Sequence, residues 1–223
     1  ILAISETWLR ETDDFSSLCI DGYYFIRSDI RTSTRGGSTA LYICNSLSFY
    51  DINSAVPLAG LSINIVGVIV TFHRKQEAIF SIYKPPNSPL SELRTLDSCL
   101  SYVTSIADYI ICMSDLNIDM LQQSNLGMRH INNILTFFSL KQIVNSPTRV
   151  TCDTVSFLDL IAISSDVAIL QVGASDIFSN SDYLTVYASL NLVKPCYTQR
   201  TVLRRYISNV TETEISRKLE EVD

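Results

Sequence analysis

Apolar positions along the chain fall into short runs broken by polar loops, the pattern of a sheet-rich protein. Ile1 to Ser5 reads as a strand already under way, so the chain looks like an N-terminally shortened piece of a longer protein. Tyr23 to Ile26 follows the Asp21-Gly22 turn as an aromatic strand, and Thr39 to Cys44 reads as another. Ile63 to Phe72 and Ala78 to Tyr83 flank the polar turn His73 to Glu77 and predict a hairpin. After Lys84-Pro85-Pro86, apolar residues at Leu93, Leu96, Leu100, Val103 and Ala107 recur in helical steps, with Ser88 or Ser91 as the N-cap. Tyr109 to Met113 is the next strand, and Leu126 to Phe138 reads as a second helix. Phe157 to Ile163 is a buried strand carrying Asp159 inside it, and Leu184 to Leu190 is the last strand of the core.

Many strands with few helices predict an α/β fold in which two mixed β-sheets pack face to face with helices outside. The chain from Lys194 to Arg205 is polar and basic. Thr211-x-x-Glu214 then forms a capping box ahead of Ile215, Leu219 and Val222. Residues 1–192 therefore read as one domain, and 193–223 as a linker and short helix leading elsewhere.

Composition narrows the function classes. At 223 residues with 47% hydrophobic and 18% charged positions, the chain is globular and can bury a sizeable core. No apolar run approaches the ~20 residues that span a bilayer, so no membrane is expected as a partner. Six dispersed cysteines without a C-x-x-C pair, and two histidines, argue against a zinc site and for a reducing compartment. The formal charge of −6 argues against a nonspecific polyanion binder, though not against an enzyme that grips nucleic acid at one site.

Polar residues recur at the ends of the apolar runs. Glu6 follows the first, Tyr83 ends the hairpin, and Asp115 and Asn117 end Ile110-Ile111-Cys112-Met113-Ser114. Ser181-Asp182 precedes the last strand. Asp115-x-Asn117 is also what a turn needs, because both side chains bond nearby backbone. Asp159 is harder to assign to a turn, since a carboxylate in an apolar strand is costly unless partnered. Converging carboxylates suit a hard divalent cation and the activation of water for attack on phosphorus. Arg27, Arg31 and Arg35 lie in a Ser/Thr-rich loop, a composition more often found on a solvated surface than at a DNA contact.

The ordered set Ser5-Glu6-Thr7-Trp8, Arg35-Gly36-Gly37, Tyr83-Lys84-Pro85-Pro86, Ser114-Asp115-Leu116-Asn117, Ser146-Pro147-Thr148-Arg149, Ser156-x-x-Asp159 and Ser181-Asp182 resembles the endonuclease/exonuclease/phosphatase superfamily. More narrowly it is similar to the apurinic-endonuclease-like domain of non-LTR retrotransposons. The resemblance covers residues 1 to about 192, and the tail resembles the connector into a reverse transcriptase. It implies a four-layer α/β sandwich and Mg²⁺-dependent nicking of DNA, with Mn²⁺ as the substitute ion. The implied partners are DNA and the reverse transcriptase of the same polyprotein, and the implied location is intracellular, in the nucleus at the time of action.

Residue by residue, the resemblance makes Glu6 the metal ligand and Asp115 the residue that orients or deprotonates the attacking water. Asn117 and Tyr83 contact the phosphate, Asp159 supports the site, and Ser156 and Thr148 lie toward substrate. Ser181-Asp182 closes the set with Asp182 as a catalytic carboxylate. Two departures stand out. Tyr183 occupies the place of the family's histidine, and the family's first strand would precede Ile1. They leave open a relic domain that retains the fold and DNA contact without catalysis. A phosphatase of small or lipid phosphates is a further alternative, against which the arginine loop and the connector speak.

Overall fold

The computed structural model describes residues 1–14, 16–29, 37–53, 63–86, 88–122, 124–176 and 181–192, and Ile1–Val193 forms one compact unit. The strands are β1 (Leu2–Ser5), β2 (Tyr23–Ser28), β3 (Thr39–Cys44), β4 (Ser48–Asp51), β5 (Asn64–Phe72) and β6 (Lys75–Tyr83). Helix α1 (Arg94–Thr104), β7 (Tyr109–Asp115), α2 (Leu126–Phe137) and β8 (Leu140–Gln142) follow. The chain then runs through β9 (Arg149–Val150), β10 (Val155–Ser156), β11 (Asp159–Ser164), β12 (Ala168–Ser175) and β13 (Thr185–Asn191). The predicted linker and terminal helix at 193–223 lie outside the described residues, as do Arg31 and Arg35.

The main sheet has the order β4-β5-β6-β7-β11-β8 and is mixed: β6 and β7 run parallel, and its other pairs are antiparallel. Its centre is apolar on both faces, with Val66, Val68, Ile69, Ala78, Phe80 and Ile163 almost fully buried. Gly67 makes room for the Phe80 ring, which a Cβ there would meet at 2.6 Å. Helix α1 turns Leu96, Cys99, Leu100 and Val103 into the core, and α2 adds Ile131, Ile134 and Leu135.

The opposing layer is antiparallel and comes in two parts, β1-β3-β2 and β12-β13. The first packs on β5, β6 and β7, and β13 packs on β11. Between β1 and β13 lies an open cleft of about 970 Å³, floored by Ile79, Ile111 and Met113 of the main sheet. The 3-10 turn Ser16–Leu18 is tied to β3 by its Leu18 carbonyl, which accepts the Tyr42 hydroxyl at 2.7 Å. The architecture is the expected α/β sandwich, except that the second layer is antiparallel and not mixed.

Local details depart from the pattern. The hairpin turn is only His73-Arg74, both left-handed (φ 46° and 67°), so Lys75 to Glu77 join β6. Helix α1 has no serine cap: Ser88 donates to the Pro85 carbonyl at 2.8 Å, and a 3-10 turn over Leu90–Leu93 leads into the helix. Asp159 opens β11 rather than lying inside it. β12 completes the hairpin with β13 and carries exposed Ile169 and Leu170, a pattern without strong alternation.

Candidate active site

The carboxyl ends of the parallel pair β6 and β7 set the site. Tyr83 is in register with Asp115, and Asp115 is in register with Asp159 at the start of antiparallel β11. In-register neighbours share a sheet face, so three polar side chains stand in a row at one edge of an apolar sheet. Glu6, just after β1 in the opposing layer, reaches across the interface and accepts the Tyr83 hydroxyl. The row Tyr83–Asp115–Asp159 is therefore closed from above by Glu6.

Asp115 does two jobs at once. Its Oδ1 accepts the Asn117 N–H at 3.0 Å, the turn chemistry expected of Asp-x-Asn. The residue is nevertheless 3% exposed, and burial followed by the charge of Asp159 pushes its carboxyl up to about 7. Asp159 is pushed up to about 6 by burial, against a Thr148 hydrogen bond that lowers it and with a smaller upward push from the charge of Glu6. Its Oδ2 is buried without a hydrogen-bond partner. Asn117 sits left-handed at φ 49° and donates Nδ2 to the Lys84 carbonyl at 3.0 Å, tying the ends of β6 and β7 together. Glu6 is also left-handed at φ 54°.

Thr148 has no exposed surface. Its Oγ1 accepts the N–H groups of Leu158 and Asp159 at 3.1 and 3.0 Å, fixing the start of β11. Ser156 pairs with Arg149 across β10 and β9, half-buried beside the row. Ser181 is exposed and accepts the Tyr183 N–H at 3.1 Å.

Tyr183 and Asp182 enter from the segment before β13. Arg149 and Tyr183 form an antiparallel bridge, held by Val150 N–H to the Asp182 carbonyl (2.9 Å) and Leu184 N–H to the Thr148 carbonyl (2.7 Å). Burial, then the charge of Asp115, pushes the Tyr183 phenol up to about 12, so it is a neutral donor across the physiological range. Asp182 is exposed, and its carboxyl is held below the usual range by the Arg149 hydrogen bond at 3.1 Å. Arg149 is the residue that sequence reasoning left without a role. The cue was its position directly after the site threonine, in a β-favouring Thr-Arg-Val-Thr run.

Among the described residues, no three His, Cys, Asp or Glu side chains form a ready-made metal site. Oxygen donors suited to a hard cation are present all the same. The charge of Glu6 is felt by both Asp115 and Asp159, and Asp159 Oδ2 is an orphan acceptor. Arg27, from the arginine-rich loop, pairs with Asp29 at 3.0 Å. No described helix is long and apolar enough to cross a membrane.

Neither protein-family models nor curated proteins gave a sequence match to this chain. Solved structures did match. The endonuclease domain of TRAS1, a telomere-specific non-LTR retrotransposon, superposes with a TM-score of 0.63 at 16% identity, covering 78% of this chain and 83% of that one. An endonuclease/exonuclease/phosphatase family protein from Leptotrichia buccalis gives 0.56 at 14% identity, covering 85% and 86%. TDP2 of D. rerio, complexed with single strand DNA product, gives 0.53 at 15% identity, covering 76% and 77%. The chain has the fold of the endonuclease/exonuclease/phosphatase proteins.

Proposed function

We propose that this chain is a metal-dependent phosphodiesterase of the endonuclease/exonuclease/phosphatase family that nicks DNA, the endonuclease of a non-LTR retrotransposon acting beside a reverse transcriptase of the same polyprotein. The observation that carries the proposal is the in-register row Tyr83–Asp115–Asp159 with Glu6 reaching onto it from the opposing layer. The TRAS1 domain, which shares the fold, is a retrotransposon endonuclease.

In this reading Asp115, with its carboxyl near neutrality, takes the proton of the water that attacks phosphorus. Burial first, then the charge of Asp159 one strand away, keeps Asp115 in that range, while Thr148 fixes the backbone of Asp159. Tyr83, pushed above its ordinary value by burial and by Glu6, stays protonated, and its hydroxyl, which donates to Glu6 in the free protein, would turn to a phosphate oxygen once Glu6 holds the metal ion. Asn117 holds the turn that aims Asp115 and lies toward the same phosphate. Glu6, with the orphan oxygen of Asp159, would hold Mg²⁺ or Mn²⁺. That ion would neutralise charge developing on the phosphoryl oxygens.

The test is nicking of supercoiled plasmid with Mg²⁺ by the wild type and by Asp115→Ala. The wild type is expected to nick at least about 10²-fold faster, the usual contribution of a positioned general base. Tyr183 favours a second reading, a relic with the fold and no chemistry, because a neutral phenol supplies no cation to the phosphate. That reading requires wild-type nicking no faster than Asp115→Ala.

A further inference from the structure

The geometry points to Arg149 as the side chain that presents positive charge to the scissile phosphate, with Tyr183 as the platform that aims it. The inference rests on the phosphodiesterase reading and names a further residue of the same centre.

Register places Arg149 between two site residues. It pairs with Ser156 on one side and bridges to Tyr183 on the other, so the three side chains share one face. The guanidinium carbon lies 5.0 Å from the centroid of the Tyr183 ring, within cation–π reach. Thr148, the residue before it, is anchored to the N–H groups that open β11. The backbone carrying Arg149 is thus locked to the strand that carries Asp159.

Charge makes the position consequential. Glu6, Asp115, Asp159 and Asp182 are carboxylates of one centre, and a phosphodiester brings further negative charge to it. The Arg149 charge is felt at Asp115 and Tyr183, and Arg149 in turn feels Glu6 and Asp182. A guanidinium keeps its charge throughout the working pH range and suits phosphate by its planar fork.

The fork is also partly free. Nε and Nη2 both donate to the same oxygen, Oδ2 of Asp182, at 3.4 and 3.1 Å. Of the five guanidinium N–H groups, this leaves about three for a phosphate. The side chain is 39% exposed, so a duplex can reach it. Asp182 and Tyr183 hold the guanidinium from two sides without enclosing it.

The bland alternative is an exposed ion pair with Asp182, a class of contact that contributes little to stability and nothing to rate. Plasmid nicking by the full chain separates the two, comparing wild type, Arg149→Ala and Arg149→Lys with Asp115→Ala as the baseline. Arg149→Ala is expected to lose about 10²–10³ in kcat, the loss seen when a donor to a developing charge is removed. Arg149→Lys, which keeps charge but not the fork, is expected to fall between the two. The urea midpoint of each variant should match that of the wild type. A loss below about tenfold in Arg149→Ala overturns the assignment.

Affinity for a short labelled DNA duplex, measured by anisotropy in EDTA, provides a second readout. Arg149→Ala is expected to bind at least about tenfold more weakly, as for loss of a hydrogen bond to a charged group. If wild-type nicking equals that of Asp115→Ala, the phosphodiesterase reading fails and the duplex affinity alone decides. Weaker binding by Arg149→Ala then keeps Arg149 as a phosphate contact, and equal binding removes it.

Discussion

Glu77 offers a sharp test of the packing, because a carboxyl there is almost sealed inside the sandwich. It stands on β6 opposite Val70 and beside Tyr109, is 2% exposed, and its Oε1 has no hydrogen-bond partner. Burial, with a smaller push from Asp108, raises its carboxyl from 4.5 to about 7. Between those values the native state keeps a proton that the unfolded chain has already released. The native state therefore binds more protons there, and stability falls as pH rises. The contribution is complete below about 4.5, is lost through about 7, and is gone above it. A shift of this size corresponds to something on the order of 3 kcal/mol. Glu77→Gln keeps the size and cannot ionise, and every other titrating group is common to both proteins. Urea unfolding of the two between about pH 4 and pH 8.5 should show the variant gaining about 3 kcal/mol on the wild type as pH rises. A difference flat to within about 0.5 kcal/mol would refute the burial argument.

Three further expectations test other parts of the account. Thr148→Val removes the acceptor of two N–H groups at the start of β11 and should cost about 2–4 kcal/mol in urea unfolding. A loss under about 0.5 kcal/mol would mean that β11 finds other partners. Gly67→Ala drives a methyl into the Phe80 ring and should cost about 1–3 kcal/mol, partly recovered by Phe80→Leu in the same chain. Recovery of nothing would show that the clash lies elsewhere. Tyr183→His places an imidazole with an ordinary value of about 6.5 beside Arg149. It should add a limb near that pH to the nicking profile, and a profile identical to that of the wild type would remove Tyr183 from the centre.

Much of this was legible before the structure. The apolar runs at Thr39 to Cys44, Ile63 to Phe72 and Tyr109 to Met113 mark strands because strands buried on both faces need little else. Polar residues closing those runs mark the site, since a carboxylate at the end of a buried strand needs a reason. The motif order carried the fold further than periodicity could. What stayed hidden depended on tertiary pairing. His73-Arg74 makes a tight left-handed turn without Gly or Asn, overriding local preference. β12 gains its place from register with β13 rather than from its own alternation. The burial of Thr148 and the two N–H groups it accepts come from its packing on β11 and not from its own run. Arg149 gains meaning only when the bridge to Tyr183 brings together residues far apart in the chain.

The cooperation of Glu6, Tyr83, Asp115 and Asp159 as one phosphodiesterase centre is the central claim. Its most direct test is the nicking of supercoiled plasmid in Mg²⁺ by the wild type and Asp115→Ala, each with and without EDTA. The account predicts nicking by the wild type that EDTA abolishes, and a rate at least about 10²-fold lower in Asp115→Ala. Equal nicking by the two proteins, or wild-type nicking that survives EDTA, would contradict it.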